Sequence, residues 1–231
     1  MNSADIAQMV QRISVLALPA IFAITFHEAA HGFVAYQLGD DSAWRMGRVT
    51  FNPLRHIDPV GTILIPLVLF FGTGLLFGYA KPVPVSFGQL RHPRIDMIWV
   101  ALAGPGTNVL LAIVSALLCY LLPYVPVIAY AWLRAVLLTS IQFNVLLAVF
   151  NMLPLPPLDG GRVAVGLLPD ALAFPLARLE RYGLFIIIGL LFIVPLIGQR
   201  LNMDWDILGY VIGVPANWLI HAIVWLTHAP L

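Results

Sequence analysis

The sequence predicts an all-α polytopic membrane protein, a bundle of five or six hydrophobic helices. Hydrophobic residues make up 61% of the 231 residues and charged residues 10%, against roughly half and roughly a quarter in soluble domains. Several segments reach the about 20 apolar residues that a spanning helix needs. The polar stretches between them are too short for a soluble domain, so we expect one transmembrane domain over residues 1–231.

Six apolar segments justify the helix count. Five are suited to span a bilayer: residues 10–38, 98–122, 128–152, 182–197 and 207–226. The sixth, residues 60–79, is interrupted by Pro66, Gly72, Gly74 and Gly78, so we expect a re-entrant or edge element there rather than a full span. The runs at 48–51 and 83–86 are candidate strands of a small β-element in the loops.

The charges indicate the surroundings of the protein. The sequence has 12 Lys and Arg and 11 Asp and Glu, which gives a formal net charge of +1. We therefore expect no nucleic-acid partner. We expect a lipid bilayer around the helices and a multi-pass location in a cell membrane, a bacterial inner or plasma membrane. The oligomeric state is left open by the sequence.

His27, Glu28 and His31 form an H-E-x-x-H motif inside the first apolar segment. Residues four apart share one helix face, so both imidazoles can bind one metal ion, with Glu28 beside them to take a proton from an attacking water. Ionisable groups in lipid cost several kcal/mol and are rare without a role. The motif predicts a zinc hydrolase; the alternative is that the three residues are packed or hydrogen-bonded by chance.

A catalytic zinc site normally has three protein ligands and one open position. Asp159 follows a proline-interrupted helix end, and irregular backbone at membrane depth needs cover from protein or a polar cavity. Asp159 is therefore a candidate third ligand; the alternative is an ordinary turn, with Asp159 and Gly160 as turn residues. The residues alone leave four other candidates open: His56, Asp58, His92 and Asp96.

Three asparagines within the apolar segments are candidate substrate or transition-state contacts. Asn108 follows a run of small residues that lets helices approach closely. Asn144 and Asn151 share a helix face with Ser140. An amide in this place could hydrogen-bond a substrate backbone or an oxyanion, or it could join two helices, and the sequence leaves both roles open.

Three motifs in this order resemble the signatures of the site-2 protease family, which are intramembrane zinc metalloproteases. The motifs are HEAAHG at 27–32, AGPGTN at 103–108 and NMLPLPPLDGGR at 151–162. The chain is most similar to short bacterial members without PDZ or CBS domains. The resemblance makes residues 10–168 the catalytic core, and the two C-terminal spans at 182–226 are only generally similar.

The resemblance implies a function and a role for each matching residue. His27, His31 and Asp159 would be the ligands of one Zn²⁺ per chain, and Glu28 the catalytic base. Asn108 and Asn151 match family asparagines near the site. The implied reaction is hydrolysis of peptide bonds within or next to transmembrane segments of membrane-protein substrates, in regulated intramembrane proteolysis. Residues 60–79 depart from minimal members, which have a short extended loop there.

Two alternatives belong to other functional classes. A proteolytically inactive metal-binding membrane scaffold would have no need of Glu28. A metal transporter would need further acids or histidines along a path through the other helices, and the sequence has no such series. For the enzyme, we also consider that the KPVPV segment at 81–85 adds a β-strand to an unwound substrate.

Overall fold

The computed structural model describes residues 3–56, 58–64, 81–203 and 205–230, and helices dominate them. The α-helices are α1 (Ser3–Gln37), α2 (Ser42–Arg45), α3 (Pro93–Leu118), α4 (Val127–Asn151), α5 (Asp159–Leu167), α6 (Asp170–Arg178), α7 (Glu180–Ile188), α8 (Val194–Arg200) and α9 (Ile207–Thr227). Short 3-10 helices cover Pro53–Arg55, Phe87–Gln89 and Cys119–Tyr124. Two π-helical segments cover Pro59–Leu64 and Gly189–Ile193.

Four helices are long and apolar enough to cross a membrane: Gln8–Gln37, Pro93–Tyr124, Val127–Asn151 and Gly209–Thr227. They coincide with four of the five predicted spans, and they confirm an all-α polytopic membrane protein. The fifth predicted span, at 182–197, is divided among α7, a π-helical segment and α8. Pro195 cannot donate to the carbonyl four residues earlier, which interrupts the regular helical hydrogen bonding there.

The predicted β-element is wrong for the residues that the structure describes, since none of them forms a strand. Residues 49–51 form bends, after a turn at residues 46–47 in which Gly47 has a φ of +62°. In the 83–86 run, Pro84 has no N–H, and the Val83 N–H donates to a side chain instead of to a neighbouring strand. A regular ladder therefore cannot form along this segment.

The packing of α1 against α3 is antiparallel. Ala23 of α1 contacts Asn108 of α3. His31, two turns further along α1, contacts Val100, which lies two turns earlier in α3. The order of partners is reversed between the two helices. Consistent with this direction, the N–H of Arg91, just before α3, donates to the Leu38 carbonyl just after α1, at 3.0 Å.

The pair α3 and α4 is antiparallel as well, because Ser115 contacts Ser140 while Asn108 contacts Asn144. The helices α1 and α4 therefore run in the same direction. Helix α3 lies at the centre of this arrangement and packs against α1, α4, α5 and α9. The motif on α1 and the chain that follows α4 are thus brought to the same end of the bundle.

An antiparallel α1–α3 pair leaves no place for one additional full crossing between these two helices. The N–H of Lys81 donates to the His56 carbonyl at 2.9 Å, so the chain on either side of residues 57–80 meets on one side of the bundle. This supports the expectation that residues 60–79 are not a single full span. Residues 65–80 themselves lie outside the described part, and their predicted re-entrant or edge form stays a prediction.

Candidate metal centre

Three candidate ligand atoms, two from α1 and one from α5, lie close together. His27 Nε2 and His31 Nε2 lie 3.0 Å apart, and Asp159 Oδ2 lies 3.2 Å and 3.3 Å from them. Ligands about 2.0–2.1 Å from a tetrahedral zinc ion are about 3.3 Å from one another. All three residues are buried. Among the described residues, this is the one group of three whose geometry could hold a metal ion.

Hydrogen bonds at the far side of each ring fix the histidine tautomers. His31 Nδ1 lies 2.7 Å from the Val100 carbonyl, which can only accept, so the proton is on Nδ1. His27 Nδ1 donates to Asn108 Oδ1 at 2.6 Å. Because both Nδ1 atoms carry hydrogen, both Nε2 atoms present lone pairs to Asp159, as metal-binding histidines do.

The three ligand atoms all present electron pairs to one another. Two imidazole lone pairs and a carboxylate oxygen face one another within 3.3 Å. The buried Asp159 Oδ2 atom has no hydrogen-bond partner, and leaving such a group unpaired is costly. A metal cation satisfies all three atoms together. The set of two nitrogens and one carboxylate oxygen fits Zn²⁺, with one position left open.

Gly104 on α3 provides the space for this group. A Cβ atom at this position would collide with His31 Nε2 and would lie 2.6 Å from His27 Nε2. Any larger residue would therefore occupy the place of a metal ion. At Gly106, two residues further on, an added Cβ would meet no atom within 4 Å.

Asp159 is placed by α5, whose first residue it is. Helix α5 packs closely on α3, since a Cβ at Gly166 would lie 2.5 Å from the Ile98 side chain. Arg94 of α3 donates to the Gly166 carbonyl at 3.0 Å and pairs with Asp170 at 2.9 Å. These contacts attach the end of α5 to the helix that also positions both histidines.

Glu28 is half-buried beside the ligand pair, and its Oε2 atom accepts a hydrogen bond from the Val83 N–H at 2.8 Å. One carboxylate oxygen is thus held by the main chain of the KPVPV segment. Glu28 belongs to the same helix as both histidines and lies beside the group formed by His27, His31 and Asp159.

Two of the three candidate asparagines lie behind His27. Asn108 is fully buried; besides accepting from His27, it donates to Ala23 O at 3.2 Å and Asn144 Oδ1 at 2.9 Å. Asn144 in turn donates to Ser140. These bonds favour a role in orienting His27. Asn151 instead donates to the Leu147 carbonyl of its own helix at 3.0 Å, and no described contact joins it to the three ligands.

Three of the four other candidates for the third ligand have structural partners, and the fourth, His92, is exposed just before α3. His56 Nε2 bonds the Thr50 carbonyl. Asp96 accepts from the His92 N–H at the start of α3, and Asp58 accepts from two backbone N–H groups at the start of the following π-helical segment. Each carboxylate satisfies backbone donors at a helix start, which is an ordinary role for aspartate.

Sequence reasoning missed the Val100 carbonyl and the Val83 N–H. Both are backbone groups, which every residue carries, so no residue type marks them. The small residues near Asn108 did indicate close helix packing, but they did not show that Gly104 borders the histidine nitrogens.

The chain is similar to proteins from two bacteria and an archaeon, each named "Putative zinc metalloprotease". YwhC of Bacillus subtilis is 40% identical over 190 residues, 78% of this chain and 81% of the relative. Rip2 of Mycolicibacterium smegmatis is 30% identical, over 78% and 66%. MJ0611 of Methanocaldococcus jannaschii is 33% identical, over 65% and 68%. No protein-family model and no solved structure matches.

The fold and the site define a helical membrane protein with a buried group of two histidines and an aspartate whose geometry could hold a metal ion. With 40% identity to YwhC across four fifths of that protein's length, the chain belongs to the same zinc metalloprotease family.

Proposed function

We propose that this protein is an intramembrane protease of the site-2 type, which cleaves membrane-protein substrates within or next to their transmembrane segments. The observation that carries the proposal is the position of the site. His27, Glu28 and His31 lie on a helix that is apolar enough to span a bilayer, and Asp159, at the start of α5, joins the two histidines there. A protease centre in this place acts on peptide bonds that enter the membrane.

His27, His31 and Asp159 are the proposed ligands of one zinc ion per chain. When bound, zinc polarises the scissile carbonyl and makes the attacking water more acidic. The chain fixes the direction of both histidine lone pairs through Asn108 and the Val100 carbonyl. The chain also holds the Asp159 carboxylate at the start of α5, with Oδ2 free of other partners.

Glu28 is the proposed general base and acid. Its carboxylate takes the proton of the attacking water and passes it to the amine that leaves when the peptide bond breaks. Proton transfer of this kind requires a carboxylate in reach of both groups. Its position one residue after His27, on the same helix, supports this assignment.

The proposed substrate is a membrane protein whose helix unwinds near the cleavage site. Amides inside a regular helix are hydrogen-bonded and shielded by side chains, so a protease needs a locally extended segment. The proposed location is a cell membrane. The family resemblance implies that the cleavage belongs to regulated intramembrane proteolysis.

The proposal is tested with purified protein in detergent and a panel of single-span fusion proteins whose helices contain glycine or proline. Wild type should cleave at least one of them near its transmembrane segment, as mapped by mass spectrometry. The Glu28→Gln variant should bind zinc and cleave nothing. If both proteins bind zinc and neither cleaves any substrate in detergent or in vesicles, the inactive scaffold is the better account. Zinc flux into vesicles would favour a transporter.

A further inference from the structure

The segment 81–86, which we call the strap, lies against α1, the helix that bears the HEAAHG motif. Three backbone N–H groups attach it. Lys81 donates to the His56 carbonyl at 2.9 Å, Val83 to Glu28 Oε2 at 2.8 Å, and Ser86 to the buried Asp40 Oδ2 at 2.6 Å. Two of these acceptors are carboxylates: Glu28 lies within α1, and Asp40 lies three residues after α1 ends. The strap is therefore held against the last part of α1 and the residues that follow it.

The side chain of Val83 fixes the same contact from a second direction. Val83 is buried, with 8% of its surface exposed. A Cβ added to Gly32 would lie 3.0 Å from Val83 Cγ1, so the absence of a side chain at Gly32 lets the strap approach α1. Gly32 is one turn beyond Glu28 on the same helix. The close approach therefore brings the Val83 N–H within reach of the Glu28 carboxylate.

The two prolines of the strap make this donor specific. Pro82 and Pro84 have no N–H, so within the Pro-Val-Pro run only Val83 can donate. Their rings also restrict φ and the conformation of the residues before them, which reduces the freedom of the strap. A hydrogen bond from a main-chain N–H to a carboxylate is charge-assisted and directional.

We propose that the Val83 N–H is the positioning group for the Glu28 carboxylate. This inference rests on the proposed function, because it assigns a role in the protease reaction. The N–H holds Oε2, which sets the rotation of the carboxylate and leaves Oε1 to exchange a proton with the attacking water and the leaving amine. The strap is thus an outer part of the catalytic apparatus, although it supplies no side chain to the reaction.

The proposal changes the role considered for the KPVPV segment. The Val83 N–H points to Glu28, so it is not available to pair with a substrate strand. A substrate that pulled Val83 away would release the carboxylate of the general base. Holding Glu28 and forming a ladder through this N–H are therefore mutually exclusive.

The direct test replaces the Val83 residue by its α-hydroxy analogue, which converts the amide to an ester and removes only the N–H. Cleavage is measured on the fusion protein that wild type cuts. We expect kcat to fall about tenfold or more, as for loss of a hydrogen bond to a charged group. KM and zinc content should stay unchanged. The same ester at Val85, for which no described bond joins the N–H to Glu28, is the matched control and should keep wild-type kcat.

A second comparison separates positioning from a merely structural role. In Glu28→Asp the carboxylate is shorter by about one carbon–carbon bond, roughly 1.5 Å, and cannot reach Val83 from the same backbone. Adding the Val83 ester to Glu28→Asp should therefore change kcat less than twofold, a non-additivity that only a direct coupling produces. Equal fold-losses in both backgrounds would overturn the proposal.

A third readout does not depend on proteolysis. In protein labelled with ¹⁵N-valine, the Val83 amide should exchange with deuterium at least tenfold faster in Glu28→Ala than in wild type, and Val85 should not. Wild type that cleaves while the Val83 ester keeps full kcat would refute the inference and leave the protease function standing. Wild type that cleaves nothing refutes the function, and unchanged Val83 exchange then refutes the contact separately.

Discussion

The two histidines and the aspartate of the metal group are held in different ways. Each histidine is oriented by a hydrogen bond that it donates to α3, His27 to Asn108 Oδ1 and His31 to the Val100 carbonyl. Asp159 Oδ2 has no hydrogen-bond partner. The chain before Asp159 is held by close packing instead: a Cβ at Gly183 of α7 would collide with the Pro156 carbonyl and would lie 2.7 Å from its carbon.

The difference shows which part of the site is organised by polar bonds and which by shape. The histidine side is set by hydrogen bonds between buried helices, so its geometry follows from α1, α3 and α4. The aspartate side depends on how tightly the loop after α4 fits beneath α7. Substitutions on the histidine side should change the direction of the imidazole lone pairs. Substitutions on the aspartate side should displace the loop that carries Asp159.

The largest effect is expected where a new atom occupies the space between the two sides. Gly104→Ala places a methyl group against His27 Nε2 and His31 Nε2, so the purified variant should contain almost no zinc and should not cleave. Atomic absorption of the folded protein measures the metal content. Gly106→Ala is the matched control, because its added methyl meets open space. A Gly104→Ala variant with full zinc would contradict the geometry of the site.

A smaller effect is expected when the histidine side loses one orienting bond. Asn108→Ala removes the acceptor of the His27 Nδ1 proton, and zinc affinity should fall about 10–100-fold, as is usual for partners that orient metal-binding histidines. Competition with a zinc-binding dye measures the affinity. Asn151→Ala changes the same residue type outside this network and should bind zinc like wild type. Equal losses in both variants would remove the basis for a role of Asn108 in orienting His27.

The smallest of the three effects is expected on the aspartate side. Gly183→Ala forces the loop at Pro156 to move, and overpacking of this kind costs about 1–3 kcal/mol. The thermal midpoint should drop, and zinc should raise it less than in wild type, because Asp159 is displaced with its loop. Gly189→Ala adds a methyl that meets nothing within 4 Å. Equal thermal midpoints for Gly183→Ala and Gly189→Ala, with and without zinc, would contradict the displacement of the loop at Pro156.

The sequence predicts the spanning helices well because their signal is local. Four spans are set by runs of apolar residues, and their ends differ from the predicted ones by a few residues. The segment at 182–197 has the same composition but contains the interruption before Pro195, so apolar length alone overestimates its regularity. The strand prediction at 83–86 fails because this segment bonds side chains far away in sequence, and the one at 48–51 fails because the turn at Gly47 leads into bends.

The site shows the same division. His27 and His31 share one helix face, so their convergence follows from spacing. The interrupted helix before Asp159 favoured it as the third ligand, but residue type left His56 and Asp96 open, and the family resemblance assigned the role to Asp159. The antiparallel register of α1, α3 and α4, which brings Asn108 beneath His27, depends on tertiary packing and is not visible in any one segment.

The most direct test of the three-ligand site is the zinc content of the detergent-purified protein, compared between wild type and Asp159→Ala. We predict about one zinc per chain in wild type and little in the variant, with both proteins folded by circular dichroism. Wild type that is folded and takes up no zinc would contradict the metal centre. Equal zinc in both proteins would contradict the place of Asp159 in it.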